Sequence, residues 1–126
     1  MKVYALDTCS TCKKALSYLK STGREFELKA IRETPPTKAE LRGMLKEYDG
    51  KLGKLFNTSG LDYRAMKLGT KLKTMDPEKA IGLLAKNGNL VKRPFVVAGN
   101  TGMVGFDLAD WANKGIRPLP KPFSKA

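Results

Sequence analysis

The stretch that most constrains this chain is Cys9-Ser10-Thr11-Cys12, followed at once by Lys13 and Lys14. These are its only two cysteines. They stand between a strand-like apolar run, Val3-Tyr4-Ala5-Leu6, and a segment in which Cys12, Ala15, Leu16 and Leu19 recur at helical spacing. Asp7-Thr8 reads as the turn between the two, and the helix as running from about Ser10 to Thr22, with Gly23 as its stop. Two thiols at a strand-to-helix turn can exchange electrons with a third, because the second attacks the mixed disulfide formed by the first.

Composition narrows the chemistry available to that pair. The chain has 126 residues, enough for one domain with a real core. It carries no histidine, which excludes Cys-His catalysis and histidine metal sites, and two cysteines alone cannot complete a structural zinc site. No metal and no bound cofactor is expected. The apolar start is broken by Asp7, and no apolar stretch approaches the roughly 20 residues of a membrane span. A cytoplasmic protein without membrane contact is the default, and there a lone CxxC reads as redox-active or metal-binding rather than as a structural staple. The net charge of +12 suits phosphates, acidic protein faces or anionic substrates, and equally an ordinary basic surface. No nucleic-acid-binding motif is visible.

Along the chain, Phe26, Leu28 and Ala30 alternate with Glu27 and Lys29, the period of a strand with one wet face. Thr37-Lys38-Ala39-Glu40 is a capping box opening a helix that carries Leu41, Met44, Leu45 and Tyr48 on one face. A lysine-rich stretch follows, with Leu55-Phe56 as a buried pair, Asn57-Thr58-Ser59-Gly60 as a loop and Leu61 to Leu68 as a short helix. Asp76-Pro77-Glu78 starts another helix, which Asn87-Gly88 ends. Phe95 to Ala98 reads as a central strand, Gly99 to Gly102 as a hairpin turn and Met103 to Phe106 as the paired strand. Asp107 caps a last helix bearing Trp111, with Trp111 and Phe106 expected in the core. The order predicts an α/β fold: a βαβ unit beside a ββα unit in a four-stranded mixed sheet, the thioredoxin-like arrangement, with an all-helical insertion over about 36–88. Residues 1–115 form the single domain, and 116–126 a basic, proline-rich tail that is extended or disordered.

Four motifs in this order, Cys9 to Ala15, the Lys-Leu-Phe-Asn-Thr-Ser-Gly run at 54–60, Tyr63-Arg64 and Lys92 to Val97, resemble the arsenate reductase family of the glutaredoxin-linked type, which includes the Spx and MgsR-like regulators. The similarity spans about residues 1–112. It implies a thioredoxin fold with a helical insertion, Cys9 as the catalytic cysteine, Arg64 and Arg93 as two of the arginines that hold the oxyanion, and Pro94 in the place of the cis-proline facing the thiol. The chain departs from the reductase pattern twice. Cys12 is a second thiol that single-cysteine reductases lack, and Val104-Gly105-Phe106 stands where a third arginine is expected.

Each candidate residue has a functional and a structural reading. Cys9, at the start of a helix and near Lys13 and Lys14, is expected to be an activated nucleophile; otherwise it is a small residue after a strand. Cys12 is the resolving thiol or part of the apolar stripe. Arg93 holds an oxyanion, a glutathione carboxylate or a sulfenate, or is a solvated base beside Lys92. Arg64 is open in the same way, and Ser10 and Thr11 either bind an anion or cap the helix. The function expected is a monomeric thiol–disulfide redox protein reducing a disulfide or an oxyanion such as arsenate, with glutathione and glutaredoxin or thioredoxin as donor. The alternative is an Spx-like regulator that binds the RNA polymerase α subunit and uses Cys9 and Cys12 as a redox switch.

Overall fold

The computed structural model describes residues 1–117. Four short strands form one sheet in the order β2-β1-β3-β4: β1 (Lys2–Ala5), β2 (Glu27–Ala30), β3 (Phe95–Ala98) and β4 (Thr101–Val104). β1 runs parallel to β2, with Val3 opposite Leu28, and antiparallel to β3, with Val3 opposite Val96. β3 and β4 are an antiparallel hairpin. The sheet is therefore mixed, as the βαβ and ββα order predicts.

Side chains alternate across the central strands, so the sheet divides the core in two. Val3, Ala5, Val96 and Met103 pack with Cys12, Ala15, Leu19 and Trp111 beneath α1 (Ser10–Ser21) and α6 (Leu108–Asn113). Tyr4 and Phe95, edge to face at 5.9 Å, pack on the other side with Leu41, Met44, Leu55, Phe56, Ile81 and Leu84. That second layer comes from the segment between β2 and β3: α2 (Lys38–Glu47), α3 (Leu61–Ala65), α4 (Leu68–Lys71) and α5 (Pro77–Lys86). Each fully buried Leu, Ile or Phe contributes roughly 1.5–3 kcal/mol, so both layers are needed to hold strands of four residues.

The capping box forms as expected. Glu40 donates its backbone N–H to Thr37 Oγ1 at 3.1 Å, and Glu40 Oε1 accepts the Thr37 N–H at 3.0 Å. The same carboxylate accepts the Tyr4 hydroxyl at 2.6 Å and pairs with Lys2 at 3.1 Å. A local helix-start motif thus also fastens α2 to β1. Burial together with the Glu40 carboxylate raises the Tyr4 pKa, while the Tyr4, Thr37 and Lys2 bonds outweigh burial and lower that of Glu40.

Several expectations are corrected. β2 is an edge strand: Phe26 is half-buried against the core beneath α1, but Leu28 is 56% exposed and Ala30 is exposed, so the alternation of Phe26, Leu28 and Ala30 does not mark a uniformly buried face. The hairpin turn is only Gly99-Asn100, with Ala98 opposite Thr101, and β4 starts two residues earlier than expected. Gly99 supplies the left-handed φ of 61° that tight hairpins favour. Gly102 lies inside the strand because Met44 crosses it: an added Cβ would come within 2.7 Å of the Met44 methyl. The helix expected over Leu61 to Leu68 is two, broken at Lys67, whose φ is 54°. Ile116, placed in the extended tail by the sequence, is buried beside Trp111 and donates its N–H to the Trp111 carbonyl at 2.9 Å. The rest of the predicted tail, 118–126, lies outside the described residues.

Gly88 is the tightest point of the insertion. Its Cβ would stand 1.9 Å from the Ile31 carbonyl oxygen, whereas a Cβ at Gly43, inside α2, would meet nothing within 4 Å. Gly88→Ala is expected to cost about 1–3 kcal/mol by overpacking, and Gly43→Ala to add about 0.4–1 kcal/mol by restricting the unfolded chain. Urea unfolding of both variants checks the opposite signs.

Candidate active site

Cys9 is the N-cap of α1, reached from β1 by the turn in which its N–H donates to the Leu6 carbonyl at 3.1 Å. Its backbone is extended, and its sulfur accepts the Cys12 N–H at 3.4 Å. A cysteine here occupies the position usually held by Ser, Thr, Asn or Asp, whose side-chain oxygen satisfies a free helical N–H. The Cys9 sulfur is itself the cap, and negative charge on it improves the cap. The choice left open for Ser10 and Thr11 is settled on one side: neither is the cap, and both are exposed on the first turn, as are Lys13 and Lys14.

The two thiols are driven apart in acidity. Partial burial of Cys9 works to raise its pKa, but the Cys12 N–H, the Cys12 thiol and the Arg93 guanidinium all favour the thiolate, and the net direction is down. Cys12 is fully buried among Ala15, Leu19, Val96 and Met103. Burial first, and then the adjoining Cys9 sulfur, push it up to about 11, against a backbone bond from Leu6. Both cysteines are free. Cys12 is at once part of the apolar stripe and a hydrogen-bond partner of Cys9, so its two readings are compatible.

Arg93 reaches the site from the segment before β3. The Arg93–Pro94 peptide bond is cis, Pro94 is buried, and its carbonyl accepts the Gly105 N–H at 2.9 Å. Nε and Nη1 of Arg93 are buried with no hydrogen-bond partner among the described residues. Buried donors in that state call for an acceptor, and the guanidinium faces both Cys9 and a pocket of about 380 Å³. Arg93 shares that pocket with Arg32, Asn57, Asp62 and Asn89.

Arg64 does not join them. It lies on the exposed side of α3, donates to the Ser59 carbonyl at 3.1 Å and lines none of the pocket. Seven residues after Asn57, on α3, it has already turned outward, and Asn57 occupies the place at the pocket. Asn57 had a sequence signal in the polar 57–60 loop. Arg32, Asp62 and Asn89 had none, because each depends on contacts between distant segments.

Comparison with known proteins agrees with this fold. The ArsC family model matches residues 4–113. The uncharacterised protein YusI of Bacillus subtilis is 40% identical over 103 residues, covering 82% of this chain and 87% of YusI. Among solved structures, a Bacteroides fragilis protein described as related to the ArsC family superimposes with a TM-score of 0.83 at 38% identity, covering 92% of this chain and 97% of that one. A Streptococcus mutans protein described as a possible arsenate reductase does so with a TM-score of 0.78 at 34% identity, over 83% and 89% of the two chains.

If Arg93 stabilises the Cys9 thiolate, Arg93→Gln raises the pH midpoint of Cys9 alkylation by iodoacetamide toward the ordinary thiol value of about 8.5, and Arg64→Gln leaves it in place. Equal midpoints in wild type and Arg93→Gln contradict the assignment. The linked stabilities differ in sign. The Cys9 contribution is present above the unfolded thiol pKa and lost as pH falls through its lowered folded value. The Cys12 contribution is present below the unfolded pKa and lost as pH rises toward about 11.

Proposed function

The chain belongs to the ArsC family, as a thiol redox protein of the arsenate reductase type, and we propose that Cys9 and Cys12 make it a dithiol reductase acting on a disulfide. The observation that carries this is the Cys9 sulfur held at the N-cap of α1, beside the Arg93 guanidinium and one helical turn before a buried second thiol.

The Cys9 thiolate attacks one sulfur of the substrate disulfide. A bond forms between Cys9 and that sulfur, and the other substrate sulfur leaves as a thiolate and takes up a proton. Arg93 steadies the negative charge on the attacking and leaving sulfurs. While Cys9 is a thiolate it holds the Cys12 proton in place, since its charge helps raise the Cys12 pKa. Once Cys9 is in the mixed disulfide that charge is gone, and Cys12 deprotonates more readily. Cys12 then attacks the Cys9 sulfur and releases the second substrate thiolate. Two electrons have moved to the substrate, and the Cys9–Cys12 disulfide is reduced by an external dithiol or by two equivalents of a monothiol, glutathione with glutaredoxin or thioredoxin being the candidates. Arsenate reduction would use the same nucleophile. Val104-Gly105-Phe106, where the resemblance expects a third arginine, favours the disulfide.

Assays with glutathione and glutaredoxin, and separately with thioredoxin, test this on arsenate and on a disulfide. Cys9→Ser should abolish turnover. Cys12→Ser should complete only the first step and accumulate a mixed disulfide visible by mass spectrometry. Arg93→Gln, losing a charge-assisted bond worth about 1.5–3 kcal/mol, should lower kcat/KM by roughly ten- to a hundredfold. Full turnover by Cys9→Ser would refute the reading. A wild-type chain with no turnover that binds the RNA polymerase α subunit in one redox state would establish the regulator instead.

A further inference from the structure

β2 leaves one side of the sheet open, with no strand beyond it among the described residues. The N–H groups of Glu27 and Ile31 donate inward, to the Met1 and Ala5 carbonyls at 2.8 and 3.0 Å. Amides alternate in direction along a strand, so Leu28 and Ala30 point their N–H groups away from the sheet. The Leu28 carbonyl points the same way, and that of Ala30 is taken by the Thr34 N–H at 2.8 Å. Side chains on this edge are sorted by face. Leu28 stands opposite Val3 and Ala30 opposite Ala5, on the face that packs beneath α1. Lys29 stands opposite Tyr4 on the other face, with the Glu27 carboxylate 3.0 Å from its ammonium. On the α1 face a groove of about 480 Å³ lies between Leu28 and Ala30 on one side and Leu6 and Leu16 on the other. An exposed leucine at an unpaired strand edge is a template for strand pairing between chains.

Of the registers centred on this strand, one is self-complementary. A second copy added antiparallel, about a two-fold axis normal to the sheet, keeps both α1 faces on the same side, so alternate residues stand opposite one another. With Glu27 opposite Glu27, or Lys29 opposite Lys29, like charges meet. With Leu28 opposite Leu28, Glu27 of each copy meets Lys29 of the other, and Phe26 meets Ala30. Each Leu28 then exchanges its N–H and carbonyl with its counterpart, and each Ala30 N–H reaches the Phe26 carbonyl of the other copy. Three strand spacings set the two β1 strands roughly 14 Å apart, wider than the interaxial distance of about 8–10 Å at which helices pack. The two α1 helices therefore do not collide, and the paired leucines fill the groove between them.

We propose that β2 pairs in this register with β2 of a second copy, joining the two four-stranded sheets into one and making the chain a dimer in place of the monomer expected from the sequence. Because β1 runs parallel to β2, the two Cys9 thiols lie at opposite ends of the pair and both stay uncovered. The pairing does not depend on the dithiol reductase reading. The net charge of +12 opposes association, but salt limits that repulsion to about 8 Å at physiological ionic strength.

Sedimentation equilibrium of the reduced full chain at physiological ionic strength, from micromolar to millimolar concentration, is expected to show a monomer–dimer equilibrium that Cys9→Ser leaves unchanged. Glu27→Lys and Lys29→Glu should each weaken the dimer tenfold or more, since both cross-strand pairs become like-charged. Mixing the two variants should restore it as a heterodimer, because every cross-strand pair is then of opposite charge. Leu28→Pro removes the outward N–H at a position where an edge strand tolerates proline, and should abolish the dimer while circular dichroism shows the fold retained. A monomer at every concentration would overturn the proposal and leave the edge to an extended segment of a different protein. A dimer indifferent to both charge variants, or a mixture that does not recover it, would place the contact elsewhere and overturn it equally. A dimer lost in Cys9→Ser would put the contact at the thiols instead.

Discussion

The hydrogen bond from the Cys12 N–H to the Cys9 sulfur ties together the start of α1, the acidity of Cys9 and the placement of the second thiol. A helix begins with backbone donors that have no partner inside it. Here one of them is satisfied by the atom that would perform the chemistry, so the geometry that starts the helix also favours the thiolate. The spacing of two residues brings Cys12 round by one helical turn, under Cys9 and into the core between α1 and the sheet. Burial then keeps Cys12 protonated while Cys9 is charged. One spacing thus separates the two thiols into an acidic and a reluctant one.

The opposite side of the site depends on long-range packing. The sheet alternation that sends Val3 toward α1 sends Tyr4 toward the helical insertion, where Glu40 receives its hydroxyl. At the far end of the insertion Gly88 lies against Ile31, and Phe56 pairs with Val91 in an isolated antiparallel bridge. Those contacts set Asn57, Asp62 and Asn89 beside Arg32 and Arg93. Cys9 belongs to the βαβ unit, whereas much of the pocket belongs to the insertion, so changes in the insertion can reshape the pocket while Cys9 and its cap are unchanged.

What could be read from the sequence follows the same division. The thiol turn, the Thr37–Glu40 capping box, Pro77 at the first turn of α5 and the apolar run of β3 are local signals, and each forms as expected. The mixed sheet followed from the order of the elements. Leu28 misled because alternation shows which residues share a face, not whether anything covers it. Gly102 resembled a turn residue because the need for a bare backbone under Met44 is invisible without the tertiary contact. Arg64 resembled an anion ligand by its place in a motif, but the break at Lys67 and the outward side of α3 carry it away from Arg93. Arg32 and Asp62 lie far apart in sequence, and the Asn87-Gly88-Asn89 turn bonds to both, Asn89 Oδ1 accepting from Arg32 and Asn87 Nδ2 donating to Asp62.

The separation of the two thiols is tested most directly by following thiolate absorbance in the ultraviolet across pH in the reduced wild-type chain and in Cys9→Ser. Two steps are predicted for the wild type, the first below the ordinary thiol value of about 8.5 and the second near 11, with the lower step absent from Cys9→Ser. A single step near 8.5 carrying both thiols, or a lower step that survives in Cys9→Ser, would contradict the assignment of Cys9 as the activated nucleophile.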